Sequence, residues 1–295
     1  MELVNLFFHK LTDREPLKYT ITVRTGYNPS RLQEDRFQVY TVKKELHEIG
    51  ITTMQTSFGH AVPVYKDGVK STTIHNYKRK GIVMNDEQKI KIKNFDYLNQ
   101  NILKGKILFT GSSLMEQFPI CEIARSKGFD EVIYNRGVGG LNTDEFLENI
   151  NTLLLDLEPS KIFINIGTND ITEARYGDKW MSHLMDNFCK IIETTKDSIP
   201  NAEIYIMAFY PANLHLPWHT EEAIQWMKLR TSENIRMCNE HLKEIANKYE
   251  CYYIDCNAGL VNENGEQKPE YAIDGVHMYA NGYLNVFEVV KSYLN

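Results

Sequence analysis

The stretch that decides the fold is KILFTGSSL, residues 106–114. Its first five residues form an apolar run with the length of a buried strand, and a glycine and two serines then mark a sharp turn into the next element. Similar apolar runs return further along the chain: EVIYN (131–135), KIFINI (161–166), EIYIMAF (203–209) and CYYID (251–255). The sequence therefore predicts a sheet of about five strands.

Amphipathic segments with helical spacing separate or follow these runs. Their apolar residues share one helical face within residues 146–157, 180–192, 235–245 and 284–294. Asn142 is a candidate N-cap of the first segment, and Pro159 is expected to end it. Alternation of strands and helices is typical of a parallel sheet that is joined by right-handed crossovers and covered on both faces. We therefore predict an α/β fold.

The first 95 residues lack this alternation. We expect residues 1–95 to form a small β-rich accessory region of uncertain fold, followed by the main domain over residues 96–295. YTITVRT (19–25) alternates like a strand, and AVPVYKDGVKSTTI (61–74) predicts a hairpin around its Asp-Gly pair. GIVMND followed by EQKIKIK (81–93) predicts another strand pair, and residues 36–49 stay ambiguous because their apolar spacing is helical.

The composition, 42% hydrophobic and 24% charged residues, is that of an ordinary globular protein and argues against a disordered tail, a collagen-like repeat or a coiled coil. The five cysteines are irregularly spaced without a C-x-x-C pair, which argues against a disulfide framework or a zinc knuckle. The apolar run at the N-terminus is short and lacks the basic start of a secretory signal. No uncharged apolar run approaches the roughly 18 residues of a membrane span. We expect a cytoplasmic protein without a membrane partner.

Charge is unevenly distributed along the chain. Residues 1–100 carry 16 lysines and arginines against 11 acidic residues, whereas residues 101–295 carry 17 against 28. An acidic main body argues against binding to the phosphate backbone, so we expect no nucleic-acid partner. The mildly basic first third is a candidate nucleic-acid patch, but a solvated surface is the favoured interpretation.

Chemically useful side chains follow the predicted strands at the edge where the carboxyl ends of a parallel sheet meet. Ser113, Gly140 and Asn169 follow the first three strands, and Asp274 and His277 follow the last one after a loop. A serine is a weak nucleophile that needs a base, which a histidine can supply while a carboxylate fixes its tautomer. The N–H groups of Ser113 and Gly140 and the amide of Asn169 are candidate donors to an oxyanion.

Each of these segments alone has a plainer interpretation. Gly-Ser-Ser after a strand is usually a helix N-cap, Asn169 is a candidate turn residue, and Asp274-Gly275 is a candidate turn before a surface histidine. Their occurrence together, in this order, favours a catalytic site.

Four segments resemble, in order and separation, the blocks of the SGNH (GDSL-type) esterase/lipase superfamily: residues 110–114, 135–140, 167–170 and 274–277. The resemblance covers about residues 104–294 and implies a flavodoxin-like three-layer α/β/α sandwich. By the same resemblance, Ser113 is the nucleophile, Asp274 and His277 complete its triad, and Ser113, Gly140 and Asn169 form the oxyanion hole.

The sequence departs from the family pattern at two places. The family's Gly-Asp-Ser is Gly111-Ser112-Ser113 here, so two serines compete, and position within the block favours Ser113 over Ser112. Leu141-Asn142-Thr143 follows the glycine block where an acidic residue is common. We expect altered loop contacts there and an unchanged role for Gly140.

The segment 210–219 follows the fourth strand at the same edge. Tyr210, His215, Trp218 and His219 are its candidate rim residues, and a packed surface loop is the alternative. His215 and His219 also have a spacing known for metal ligands, but no glutamate stands beside them at general-base spacing. No G-x-G-x-x-G and no phosphate-binding loop occurs. We therefore predict neither a metal nor an organic cofactor.

Taken together, the sequence predicts a serine esterase that hydrolyses small carboxylic esters, with short-chain acyl or acetyl groups, through an acyl-enzyme. The alternatives are a carbohydrate O-acetylesterase or a lysophospholipase-type member of the same superfamily, or an inactive binding module, against which the intact site residues argue. The expected partner is a small-molecule ester or an acetylated sugar. Docking of a partner or glycan by the N-terminal region, and a homo-oligomer, are left open.

Overall fold

Strands and helices alternate from residue 107 onward in the computed structural model. It describes residues 84–294, except the side chains of residues 222 and 223, and the backbone of six earlier strands. The chain divides into two compact units, Met1–Gly81 and Ile82–Asn295. The accessory role assigned to the N-terminal region stays a prediction.

The first unit contains short antiparallel strands. They are β1 (Asn5–Lys10), β2 (Leu17–Thr20), β3 (Ile51–Gln55), β4 (Ala61–Pro63), β5 (Tyr65–Lys66) and β6 (Val69–Lys70). The first four form a sheet in the order β2-β1-β3-β4, and β5 pairs with β6. The predicted β-rich character and the predicted hairpin strands on either side of residues 67 and 68 are thus confirmed. The predictions for residues 21–25, 36–49 and 81–83 lie outside the described residues.

The second unit contains the predicted parallel sheet. Its strands are β7 (Ile107–Gly111), β8 (Ile133–Gly137), β9 (Lys161–Asn165), β10 (Glu203–Met207) and β11 (Tyr252–Ile254). All neighbouring strands run parallel, in the order β11-β10-β9-β7-β8. All five strands predicted from the apolar runs are confirmed, with ends that differ by one or two residues.

Helices connect and flank these strands. They are α1 (Asp86–Asn99), α2 (Ser113–Glu116), α3 (Ile120–Ser126), α4 (Thr143–Glu148), α5 (Ile150–Leu153), α6 (Glu173–Tyr176), α7 (Trp180–Ser198), α8 (Glu221–Met227), α9 (Ser232–Lys248) and α10 (Ala280–Val290). Asn142 caps α4 as predicted, in a capping box with Glu145. No helix among the described residues is long and apolar enough to cross a bilayer.

The two faces of the sheet bury separate cores, because successive side chains of a strand point to opposite faces. Leu108 packs with residues of α4, α5, α7 and α9, and its neighbour Phe109 packs with residues of α2, α3 and α10. On the second face, the ring of Phe109 stacks on Phe163 at 4.5 Å, and Phe163 stacks on Tyr205 at 4.6 Å. Burying each such side chain stabilises the fold by about 1.5–3 kcal/mol. The three-layer α/β/α sandwich is therefore confirmed.

The segment EQKIKIK, predicted as a strand, lies instead in α1, so that prediction is wrong. The alternation of Ile90 and Ile92 with lysines imitates a strand, but only Ile92 is buried, whereas Ile90 is 60% exposed. Asn85 and Gln88 form a capping box that starts a helix at this point. Helix α1 lies wholly within the second unit and crosses the predicted domain boundary at residues 95 and 96.

The strand order places a crevice at one edge of the sheet. Strand β7 lies between β8 and β9, so the chain leaves β7 toward one side and later returns on the other. Such a switch point opens a crevice beyond the carboxyl ends of the strands, where ligands bind in this class of fold. The segments after β7 and β9 carry Ser113 and Asn169 to this crevice.

Candidate active site

Ser113, His277 and Asp274 form one continuous chain of hydrogen bonds. The Nε2 atom of His277 lies 2.9 Å from Ser113 Oγ, and its Nδ1 atom lies 2.7 Å from Asp274 Oδ2. The other carboxylate oxygen of Asp274 accepts hydrogen bonds from the backbone N–H groups of His277, at 2.8 Å, and Val276, at 3.0 Å. With its proton on Nδ1, the ring can accept the serine hydroxyl proton at Nε2.

The carboxyl group of Asp274 is held in its charged form. Partial burial raises its pKa, but hydrogen bonds from the ring and the backbone of His277 outweigh this effect, and the pKa lies below its ordinary value. A carboxylate that stays ionised beside the ring can stabilise the imidazolium that forms when His277 takes up a proton.

The two neighbouring serines have different surroundings. Ser112 is the N-cap residue of α2 and is fully buried, and its hydroxyl has no hydrogen-bond partner within residues 84–294. Ser113, the first residue of α2, faces His277. The turn between β7 and α2 requires glycine, because a Cβ atom on Gly111 would lie 1.9 Å from the carbonyl oxygen of Asn165.

The candidate oxyanion donors line the same cleft. This active-site cleft, of about 340 Å³, is lined by Ser113, His277, Gly140 and Asn169 together with residues of α1 and α2, and by Trp226 and Arg230. Gly140 has a φ of 77°, a backbone conformation that residues other than glycine rarely adopt. Asn169 lies in a 3₁₀ turn after β9, and its Nδ2 atom donates to the carbonyl oxygen of Leu141 at 2.9 Å. The second N–H of that amide remains available to a ligand.

Asp170 anchors the turn that carries Asn169. Its side chain is completely buried and accepts hydrogen bonds from the backbone N–H of Thr143, at 3.0 Å, and from the hydroxyl of Thr143, at 2.6 Å. Burial raises the pKa of Asp170 to about 7, although the hydrogen bonds from Thr143 act against that effect. The segment after β9 is thereby tied to the start of α4, immediately after the glycine block.

The predicted rim residues do not line the cleft. Tyr210 is only 3% exposed and packs in the core, because the chain after β10 is still between the layers; its prediction as a rim residue is wrong. His215 pairs at the surface with Glu266. Trp218 Nε1 donates to the carbonyl oxygen of Ile273 at 3.3 Å, and His219 Nε2 lies 3.0 Å from the carbonyl oxygen of Asp274. These last two side chains brace the turn that carries Asp274.

The sequence predictions did not include several residues that line the cleft. Gln88 and Lys91 come from α1, and Trp226 and Arg230 come from α8 and the segment after it. The spacing of Asn85 and Gln88 was a usable signal, since Asn-x-x-Gln is a capping box that starts a helix. No comparable signal marks Arg230, whose 5% exposure depends on tertiary packing alone.

A model of the GDSL-like lipase/acylhydrolase family matches residues 122–284, more than half of the chain. The chain belongs to this family. The matched span includes Gly140, Asn169, Asp274 and His277, while Ser113 and α1 precede it. The chain is therefore an acylhydrolase of the GDSL type.

Similar proteins are found among solved structures and curated sequences. A Streptococcus pneumoniae protein assigned as a platelet activating factor is 30% identical, with a TM-score of 0.62 over 71% of this chain and 93% of that one. Bovine (Bos taurus) platelet-activating factor acetylhydrolase IB subunit alpha1 is 21% identical over 64% of this chain and 75% of its own length. An acetylxylan esterase of Geobacillus stearothermophilus is 13% identical, with a TM-score of 0.50 over 66% of this chain and 96% of that one; this likeness concerns the fold alone.

Proposed function

We propose that this acylhydrolase is a serine esterase that hydrolyses small carboxylic esters through an acyl-enzyme on Ser113. The observation that carries the proposal is the hydrogen-bonded chain from Ser113 through His277 to Asp274 at the active-site cleft. The geometry matches the roles of nucleophile, general base and orienting carboxylate.

In the first half-reaction, the Oγ atom of Ser113 attacks the ester carbonyl carbon while Nε2 of His277 takes up the hydroxyl proton. The resulting tetrahedral intermediate collapses as the carbon–oxygen bond to the alcohol breaks, and His277 returns the proton to the departing alcohol. In the second half-reaction, a water molecule gives its proton to His277 and attacks the acyl group. Collapse of that intermediate releases the carboxylic acid and restores the Ser113 hydroxyl.

The negative charge of both intermediates would be stabilised by three donors. These are the N–H of Ser113, the N–H of Gly140 and the side-chain amide of Asn169. Such a donor acts mainly in the transition state, where its removal typically lowers kcat by about 10²–10³.

The lining of the cleft favours substrates with short acyl groups. Trp226 is the one large apolar side chain among its described lining residues, and the other lining groups are glycines or polar and charged side chains. Each buried methylene is worth about 0.8 kcal/mol only where an apolar wall receives it. The names of the bovine acetylhydrolase and the bacterial acetylxylan esterase also refer to acetyl esters. We therefore expect acetyl and butyryl esters as substrates.

An acetylated sugar is the second candidate substrate. Trp226 is 57% exposed and lines the cleft together with the amide side chain of Gln117. A cleft with an exposed ring and an amide group suits a sugar ring, which has an apolar face and a hydroxyl-bearing edge.

A substrate panel tests the proposal. Rates with p-nitrophenyl esters from acetyl to palmitoyl would be measured beside acetylated xylo-oligosaccharides, with the Ser113→Ala variant as the blank. We expect Ser113-dependent hydrolysis of acetyl and butyryl esters and weak hydrolysis beyond about eight carbons, since no apolar wall receives the longer chain. Rates that rise steadily to palmitoyl would contradict the proposed acyl preference. A kcat/KM for the acetylated sugar above that for p-nitrophenyl acetate would favour the sugar candidate.

A further inference from the structure

The peptide group that carries the Gly140 N–H and the side-chain amide of Asn169 each have their oxygen atom hydrogen-bonded to a buried side chain. The N–H of Gly140 belongs to the same peptide unit as the carbonyl of Gly139, which accepts a hydrogen bond from Gln88 Nε2 at 2.9 Å. The amide of Asn169 has its Oδ1 atom within 3.2 Å of Arg230 Nη2, which donates to it. Gln88 and Arg230 are 6% and 5% exposed, respectively.

The orientation of Gln88 is fixed from its own side. Its Oε1 atom accepts a hydrogen bond from the Asn85 N–H at 2.8 Å, within the capping box of α1. The Nε2 atom must therefore face the glycine loop, residues 137–140. Its donation to Gly139 thus does not depend on a choice between the two possible orientations of the Gln88 amide. Gln88 also lies tightly against the donor, because a Cβ atom on Gly140 would be 3.0 Å from Nε2.

The same loop is held from its other side by a charged pair. The N–H of Gly139 donates to Glu116 Oε2 at 2.6 Å, and Glu116 Oε1 lies 2.6 Å from the Lys91 ammonium. Helix α1 thus contributes Gln88 directly and Lys91 indirectly to the glycine loop. Within residues 84–294, no protein group accepts a hydrogen bond from the N–H of Gly140, which leaves that donor available at the cleft.

Asn169 is held in an equivalent way. A guanidinium has only donors, so Asn169 must turn its Oδ1 atom toward Arg230 and its NH₂ group toward Leu141 and the cleft. Arg230 itself is held by packing, with its guanidinium 4.2 Å from the ring centre of Trp226. Its placement therefore fixes which atom of the Asn169 amide faces a reacting carbonyl.

A hydrogen bond to the oxygen of an amide polarises that amide, and its own N–H becomes a stronger donor. Preorganised donors stabilise an oxyanion best when they need no reorientation during the reaction. We propose that Gln88 and Arg230 are positioning residues of this esterase, which orient and polarise the Gly140 and Asn169 donors, respectively. The inference rests on the proposed function and extends the site to α1, which precedes the span matched by the family.

The test uses variants of the full chain with p-nitrophenyl acetate as substrate. Gln88→Met and Arg230→Met keep side-chain length while removing the donor. Two matched controls remove comparable interactions away from the cleft. Asn99→Ala removes a buried amide of α1 that donates to the Thr152 carbonyl at 2.8 Å, and Arg136→Met removes a buried guanidinium 4.8 Å from the ring centre of Phe95.

We expect Gln88→Met and Arg230→Met each to lower kcat on the order of tenfold, less than the loss of a whole donor, while KM changes by less than about twofold. The two control variants should lower thermal stability by similar amounts and leave kcat within about twofold of the unmodified protein. If the controls lowered kcat as much as the two cleft variants, loosened packing would explain the effect and the proposal would fail.

A double-mutant comparison separates action through Asn169 from a general effect of Arg230. In the Asn169→Ala background, Arg230→Met should cause no further loss of kcat, whereas Gln88→Met should still lower kcat on the order of tenfold, because Gly140 remains. An Arg230→Met loss of equal size in both backgrounds would overturn the assignment. Should Arg230→Met not fold, Arg230→Leu gives the same comparison, since leucine also lacks a donor for the Oδ1 atom of Asn169. Failure here leaves Ser113-dependent hydrolysis intact, whereas failure of the proposed function removes it.

Discussion

The Nε2 atom of His277 lies 2.9 Å from the Oγ atom of Ser113, although 164 positions of the sequence separate the two residues. Ser113 starts the helix after β7, and His277 belongs to the loop before α10. Asp274 and His277 are brought together locally, because they are three residues apart and the carboxylate of Asp274 is hydrogen-bonded to both the backbone N–H and the ring of His277. The sheet therefore has to bring together a serine and a preassembled acid–base pair.

Asp274→Asn is expected to lower kcat on the order of 10³–10⁴, because an amide donor facing Nδ1 favours the wrong tautomer of His277. KM should change little, and the far-ultraviolet circular dichroism should match that of the unmodified protein. His241→Ala is a suitable control, since His241 pairs with Glu244 on the exposed face of α9. An Asp274→Asn variant that keeps more than about a tenth of kcat would argue against the role of this carboxylate.

Asn169→Ala is expected to lower kcat by roughly 10²–10³, with little change in KM, because its amide is proposed to bind the oxyanion mainly in the transition state. Steady-state kinetics with p-nitrophenyl acetate measures both constants, and urea unfolding checks that the fold is retained. A loss of less than about threefold would mean that Asn169 is only a turn residue.

The buried carboxyl of Asp170 should make stability depend on pH. Its pKa in the folded protein is about 7, well above its ordinary value, so its protonated form favours folding and this contribution is lost as pH rises from about 4 to about 7. Asp170→Asn carries no titrating group, and its one amide oxygen can still accept a hydrogen bond from the backbone N–H of Thr143.

The free energy of unfolding of Asp170→Asn, measured relative to that of the unmodified protein, should therefore rise by up to about 4 kcal/mol when the pH is increased from 4 to 8. Urea unfolding of both proteins at these two pH values measures the difference. The result that contradicts the prediction is a stability difference between the two proteins that does not change with pH.

Much of the fold and of the candidate site could be predicted because the signals are local. All five parallel strands coincide with short apolar runs, and the spacing of Asp274 and His277 is that of a single turn. Helix α1 was missed because Ile90 and Ile92 alternate with lysines, while the capping box that decides the conformation is formed by Asn85 and Gln88.

Other residues could not be assigned because tertiary packing determines where they lie. The segment 210–219 has the aromatic and prolyl content of a cleft rim. Its first residue, Tyr210, is nevertheless buried between the layers directly after β10. Arg230 lies far from Asn169 in the sequence, and only the packing of Trp226 and the segment after α8 brings the two together.

Covalent labelling with a fluorophosphonate tests most directly whether Ser113 is the nucleophile. After labelling, fragmentation of the peptide that contains both serines locates the adduct by mass spectrometry. Ser112→Ala is the matched control, because Ser112 is the neighbouring hydroxyl and is fully buried without a hydrogen-bond partner among the described residues. We predict an adduct on Ser113 in the unmodified protein and in Ser112→Ala, and no adduct in Ser113→Ala. Labelling that persists in Ser113→Ala and disappears in Ser112→Ala would contradict the assignment.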